Sequence, residues 1–285
     1  MRTLSMIISL ALSVATVSTP ATGQDIADAN AVPHLNDRGR REYREYLKAE
    51  MHRAFVIAPG GAWAWMAGVD TPEEALGGAL AECNTDAEQT CLPYALNDNV
   101  VLDEKKWSTL WGPYLTEEQA SIVPEGTHRG ELFPDLVLVD PKGRPFKVSD
   151  LRGKIAVLHF WGTWCPSCVH ELPQFVKLRQ ALSNTPDVVF VFSQVREPLT
   201  VARQWLTQKN LNLPLYDSGS HSAREDRLHL SNGRIIADRA LAPAFPTTYV
   251  LDRYGIVVFS LRGSATDWLQ YAAFLRDAAA RSGKP

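Results

Sequence analysis

The chain has 285 residues, which at roughly 150 residues per domain suggests about two domains. Apolar residues make up 45% and charged residues 21%, an ordinary balance for a globular protein with a substantial core and far from the bias that marks disorder. A net charge of −3 gives no electrostatic case for nucleic acid or an anionic membrane as a partner, and four cysteines are too few for a disulfide scaffold.

Residues 1–23 read as a secretory signal. Arg2 is the only charged side chain before Asp25, Leu4 to Val17 is almost wholly apolar or small, and Ala21-Thr22-Gly23 offers a cleavage point before Gln24. The alternative is an uncleaved membrane anchor, although the run is short and rich in Ser and Thr for a span. On either reading the rest of the chain is expected outside the cytoplasm, as a periplasmic or otherwise exported protein. Without residues 1–23 there are 28 basic residues against 32 acidic ones, a net charge of −4.

Residues 24–53 form a charged helical segment in which Tyr43, Tyr46, Leu47 and Met51 can share one face. Residues 54–112 read as a small α+β module. Ala54 to Ala58 and Ala62 to Ala67 have strand character around the turn Pro59-Gly60-Gly61. Thr71-Pro72-Glu73-Glu74 opens a helix running to about Cys83, with Thr as N-cap, Pro at the first helical position and acids in the first turn. Cys91 to Val101 reads as strand with a turn at Asn97-Asp98-Asn99. Cys83 and Cys91 flank a polar loop, and in an exported chain they are expected to form a structural disulfide; a second redox site is the sharper alternative.

Residues 113–130, opened by Gly112-Pro113 and with Pro124-Glu125-Gly126 among them, read as a linker. From residue 131 to 285 the pattern becomes regular α/β. A hairpin is expected at 136–139 and 146–148, a buried strand at 154–161, a helix at 165–182, a strand at 187–193, a helix at 199–210 and a short strand at 213–217. A second hairpin at 247–252 and 256–262 precedes a last helix carrying Trp268, Tyr271, Ala272 and Leu275. Between them, residues 217–244 include a charged stretch Arg224-Glu225-Asp226-Arg227, read as helical, and a turn at Ser231-Asn232-Gly233.

The chemistry concentrates at Cys165-Pro166-Ser167-Cys168. A Cys-x-x-Cys pair serves zinc or redox chemistry, but zinc needs two further ligands and His170 supplies no second pair. The pair follows a strand and opens a helix, where unpaired backbone N–H groups and the positive end of the helix dipole favour the reactive thiolate. Pro166 suits the first turn, and Cys168 lies one turn on, within reach of a disulfide. One cysteine can then attack a substrate disulfide and the other resolve the mixed disulfide.

The segment Phe160-Trp161-Gly162-Thr163-Trp164-Cys165-Pro166-Ser167-Cys168-Val169-His170-Glu171-Leu172-Pro173 resembles the active-site segment of the thioredoxin superfamily, in its TlpA/ResA-like exported branch, over about residues 130 to 285. The resemblance implies a thioredoxin-like α/β fold, a central mixed sheet flanked by helices, preceded by the small α+β module. It implies Cys165 as the exposed nucleophile and Cys168 as the buried resolving thiol, and Pro173 matches the family's helix-kinking proline. Phe245-Pro246-Thr247 looks like the family's cis-proline loop, which faces the cysteines and, with Trp164 and Pro166, would contact substrate. Glu171 stands where ResA-like proteins carry an acid able to move protons at Cys168, the alternative being a solvated helix acid. His159 departs from the family, which places a buried Asp or a neutral residue there. It is a base for Cys168, a stabiliser of thiolate, or a hydrogen-bonded core histidine.

The resemblance implies a thiol–disulfide oxidoreductase acting on protein thiols and disulfides, in the reducing direction and fed by a membrane electron donor. The redox group would be the Cys165–Cys168 pair itself, with no cofactor and no metal. Two rivals stand beside it. A peroxiredoxin-like peroxidase is disfavoured because Gly162, not Thr, stands three residues before Cys165. A non-enzymatic docking module on the same scaffold would survive loss of Cys165.

Overall fold

The computed structural model describes residues 25–87, 89–112, 114–265 and 267–283. The expected signal and its cleavage point lie outside the described residues. Among the described residues no helix is long and apolar enough to cross a membrane.

In the N-terminal module, helix α1 (Asp37–Lys48) starts where the Asn36 side chain accepts the Gly39 N–H. Gly39 is required there, because a Cβ would stand 2.8 Å from the Trp63 indole nitrogen. Tyr43 and Tyr46 are buried, but the helix ends before Met51, which is 53% exposed. The expected face therefore loses its last member. Strands β1 (Ala54–Ile57), β2 (Trp63–Met66), β3 (Leu92–Leu96) and β4 (Asn99–Val100) form an antiparallel sheet in the order β2-β1-β3-β4. Alternation along β1 sorts its side chains. Phe55 and Ile57 join Tyr43, Tyr46 and Tyr94 on one face, while Ala54 and Val56 meet Ala75, Ala79 and Cys83 on the other. Those last residues belong to helix α2 (Pro72–Asp86), whose Thr71 cap accepts the Glu74 N–H and which runs three residues past Cys83.

The stretch leading into and through residues 113–130 carries short capped helices and packed aromatic side chains. Asp103 caps a short helix α3 (Glu104–Thr109), and Thr116 and Gln119 close a reciprocal capping box on α4 (Glu117–Ala120). Trp111 and Tyr114 pack against the C-terminal core, and the Tyr114 hydroxyl donates to Asp277 at 2.8 Å. Aromatic side chains and capping residues turn the segment into a strap between the two domains. His34 completes the junction: its ring stacks on Tyr271 at 4.3 Å and its backbone N–H donates to the Gln270 side-chain oxygen.

The C-terminal domain contains strands β5 (Val137–Val139), β6 (Pro145–Lys147), β7 (Ile155–Trp161), β8 (Val188–Gln194), β9 (Leu215–Asp217), β10 (Arg227–His229), β11 (Ile235–Ala237), β12 (Thr247–Leu251) and β13 (Val257–Arg262). Its helices are α5 (Pro166–Ala181), α6 (Leu199–Gln208) and α7 (Ala272–Arg281). Seven strands form one mixed sheet in the order β13-β12-β7-β8-β9-β5-β6, parallel from β7 through β8 to β9. All seven residues of β7 are buried, as expected for a central strand covered on both faces. Ile155, Val157 and Trp161 pack with α5 and α7, and Ala156, Leu158 and Phe160 fill the opposite face. Arg224 to Asp226 are not helical; the chain turns there and enters the hairpin β10–β11, which closes around Ser231-Asn232-Gly233. Leu228 and Leu230 anchor that hairpin in the core, which decides for strand over the local charge pattern.

Candidate active site

Parallel strands β7 and β8 end side by side, and in open α/β sheets sites form beyond such carboxyl ends. Beyond β7 the chain turns at Gly162, where a Cβ would stand 2.2 Å from the Trp164 indole nitrogen. The Trp164 indole donates to the Val195 carbonyl at 3.0 Å, yet 43% of the residue remains exposed. Glu197, buried just past β8, accepts the Thr163 N–H at 2.8 Å and the Thr163 hydroxyl. Burial raises its carboxyl above the usual range, against the pull of those two hydrogen bonds. The loop after β8 thus grips the turn that presents the cysteines.

Cys165 is the N-cap of α5 rather than a helical residue, and Pro166 opens the helix. Cys165 and Cys168 are joined as a disulfide with 5.2 Å between their Cα atoms. The Cys165 Sγ accepts the Cys168 N–H at 3.2 Å, so a helix-terminal donor already points at it. Cys168 is fully buried, and Cys165, expected to be exposed, is only 4% accessible. Trp164 beside it and Phe245 across the cleft meet edge-on at 5.1 Å. The Phe245–Pro246 bond is cis, and the Ser167 hydroxyl donates to the Phe245 carbonyl at 3.4 Å. Trp164, Cys165, Pro166, Phe245 and Pro246 therefore meet at one end of the sheet.

Glu171 and His159 lie deeper. Glu171 sits one turn after Cys168 and is buried, which rules out a solvated acid. Its Oε2 accepts the Ala265 N–H and the Trp268 indole N–H, both at 2.9 Å. Its Oε1 lies 3.6 Å from His159 Nε2, and neither atom has a hydrogen-bond partner. His159 projects from β7 toward α5 and meets the Thr248 hydroxyl at 2.9 Å through Nδ1. The spacing is that of an ion pair, but burial disfavours charge on both groups. It pushes Glu171 up to about 8, with Trp268 and Ala265 opposing, and His159 down to about 3. Burial thus favours the neutral imidazole at His159.

Five contributors escaped the sequence reading: Glu197, Thr248, Arg196, Asp238 and Arg239. Arg196 has φ 59° and is held by Asp238 through two hydrogen bonds of 2.6 and 2.7 Å. Its guanidinium lies 5.6 Å from the Phe245 ring centroid, and that of Arg239 lies 4.6 Å away. Asp238 and Arg239 come from the 217–244 segment, which therefore reaches the site. The one available signal was position: Arg196-Glu197 follow the carboxyl end of a strand parallel to β7. Cys83 and Cys91 are apart from all this, joined to each other in the N-terminal module.

Residues 128–268 match the Redoxin family model. The chain is 29% identical over 158 residues to the thiol–disulfide oxidoreductase ResA of Geobacillus thermodenitrificans, covering 55% of this chain and 79% of that protein. It is 28% identical over 144 residues to the ResA of Bacillus subtilis, covering 50% and 72%. These matches make the C-terminal domain similar to the TlpA/ResA-like branch of the thioredoxin superfamily. A putative thiol:disulfide interchange protein DsbE from Chlorobium tepidum superposes with a TM-score of 0.42 at 19% identity, covering 55% of this chain and 99% of that one. The thioredoxin-like domain makes the chain a thiol–disulfide oxidoreductase. Its mixed sheet flanked by helices is the fold that the active-site segment implied.

Proposed function

We propose that the chain reduces protein disulfides outside the cytoplasm through Cys165 and Cys168. The observation that carries this reading is the cystine at the α5 N-terminus, facing the cis Phe245–Pro246 loop. In the reduced protein the Cys165 thiolate attacks one substrate sulfur, the substrate disulfide breaks, and one substrate thiolate leaves. Cys168 then gives its proton to Glu171 and attacks the Cys165 Sγ. This forms the Cys165–Cys168 disulfide and frees the second substrate thiol, two electrons having passed to the substrate. Trp164 and Phe245 would wall the substrate chain, and Pro166 and Pro246 would lie against it. The cystine is the redox group, and no cofactor is invoked.

Two observations favour the exported setting. The second cystine, Cys83–Cys91, suits an oxidising compartment, as does the leader over residues 1–23. There, a reductase needs a thiol donor, for which a membrane electron donor is the natural source. The test is the reduction potential of the Cys165–Cys168 pair in glutathione or dithiothreitol buffers. The expected value is near or below about −250 mV, and a value near about −120 mV would make the protein an oxidant.

A further inference from the structure

A cavity of about 240 Å³ lies between the two domains. Gly60, Gly61, Asn36 and Gln89 face it from the N-terminal module, and Ser260 and Arg262 from β13. Gln89 is 6% exposed as a residue and lines the cavity wall. Gln89 sits on the loop that the Cys83–Cys91 disulfide closes, a few residues beyond α2. Its Oε1 lies against the turn at Gly60, where a Cβ would come within 3.0 Å; φ is +100° at Gly60 and +89° at Gly61. Both the bridge and the glycines thus serve to place one amide at the cavity wall.

The cavity also adjoins the redox site. Arg262 stands opposite Thr247 in the β12–β13 ladder, and the next residue, Gly263, donates its N–H to the Pro246 carbonyl at 2.7 Å. One ladder position therefore separates Arg262 from the cis-proline. Arg262 is exposed and has no ion-pair or hydrogen-bond partner among the described residues. A guanidinium and a side-chain amide lining one cavity match a carboxylate, which accepts from both. A chain extended past the cis-proline advances about 3.3 Å per residue, so a side chain roughly two to four residues from the reacting cysteine reaches the cavity.

We infer that this interdomain cavity is a substrate subsite for an acidic side chain of the polypeptide whose cysteine reacts at Cys165. The inference rests on the proposed action on polypeptide disulfides and assigns the N-terminal module a part in selecting them.

The test uses the reduced full-length protein and eight-residue peptides, each with one cysteine blocked as its 2-pyridyl disulfide. One set carries Glu two to four residues from the cysteine and a matched set carries Gln there; release of 2-thiopyridone is followed in single turnovers. The Glu peptides are expected to react about 5- to 10-fold faster. Arg262→Gln, and separately Gln89→Ala, should bring that ratio close to one while leaving the rate with 2,2′-dipyridyl disulfide unchanged. Equal rates for the two peptide sets, or a ratio that Arg262→Gln does not move, would overturn the subsite while the oxidoreductase reading stands. Failure to reduce dipyridyl disulfide at all would overturn both. If Arg262→Gln slows oxidised glutathione and no peptide, the cavity takes a small acid and the polypeptide assignment falls.

Discussion

The chain closes two cystines at opposite poles of two helices. Cys83 lies in the last turn of α2 and Cys165 caps the start of α5. Burial does not separate them, at 3% accessibility for Cys83 and Cys91 against 4% for Cys165 and none for Cys168. What differs is the electrostatic end of the helix. Near a C-terminus, carbonyl dipoles disfavour a thiolate, and Cys83 faces alanines and Val56 in a small core. At an N-terminus the Cys168 N–H already points at Cys165 Sγ, and a cis-proline loop waits across the cleft. Both cystines hold loops, but only one sits where breaking it makes a stable leaving group.

The largest effect expected from this contrast separates the pairs by substitution. Cys165→Ser should remove disulfide turnover altogether, while the double change Cys83→Ser with Cys91→Ser should keep turnover on a small disulfide. Its cost should be roughly 2–3 kcal/mol of stability, read by urea unfolding. Turnover surviving Cys165→Ser would place the attacking thiol elsewhere, and a wild-type protein that exchanges no disulfide would return the domain to the status of a docking module.

Next in size is Glu171→Gln. With its carboxyl pushed up to about 8, Glu171 accepts a proton from Cys168 only as the pH rises through that value. The wild-type turnover rate should climb accordingly, and the variant should lose that limb, falling roughly 10- to 100-fold at pH 9. Stability moves the other way. Between pH 4.5 and about 8 the folded state keeps a proton that the unfolded state has lost, so stability falls as pH rises through this window. Above it, Glu171→Gln should be more stable than wild type by up to roughly 3–5 kcal/mol, and near pH 4.5 the two should agree. A pH-independent difference in unfolding free energy would remove the carboxyl from this role.

The smallest effect concerns the helix that carries Cys83. Thr71→Ala should cost about 1 kcal/mol by leaving the Glu74 N–H unpaired, with turnover on small disulfides unchanged. A change in the Cys165–Cys168 potential on this substitution would mean that the two domains are more tightly coupled than the strap at Trp111 and Tyr114 suggests.

Much of this molecule follows from local chemistry. The Cys-Pro-Ser-Cys run at a strand-to-helix junction, the Thr71-Pro72 helix start, the glycine turns and the strand alternation are each set by neighbours in the chain, so residues alone located both cystines and the elements holding them. Met51 and the stretch at Arg224 mark the limit, because a helical pattern there was cancelled by the end of α1 and by core anchoring of Leu228 and Leu230. The packing around the linker at 113–130 was hidden for a related reason: Trp111 just before it and Tyr114 within it acquire partners only once α7 is folded beneath them. The tertiary structure decided the environment of each group. Glu171 and His159 look like ordinary polar residues in the sequence. Their titration is set by the desolvation that β7, α5 and the Ala265–Trp268 segment impose together, and pairwise spacing along a chain carries no information about that.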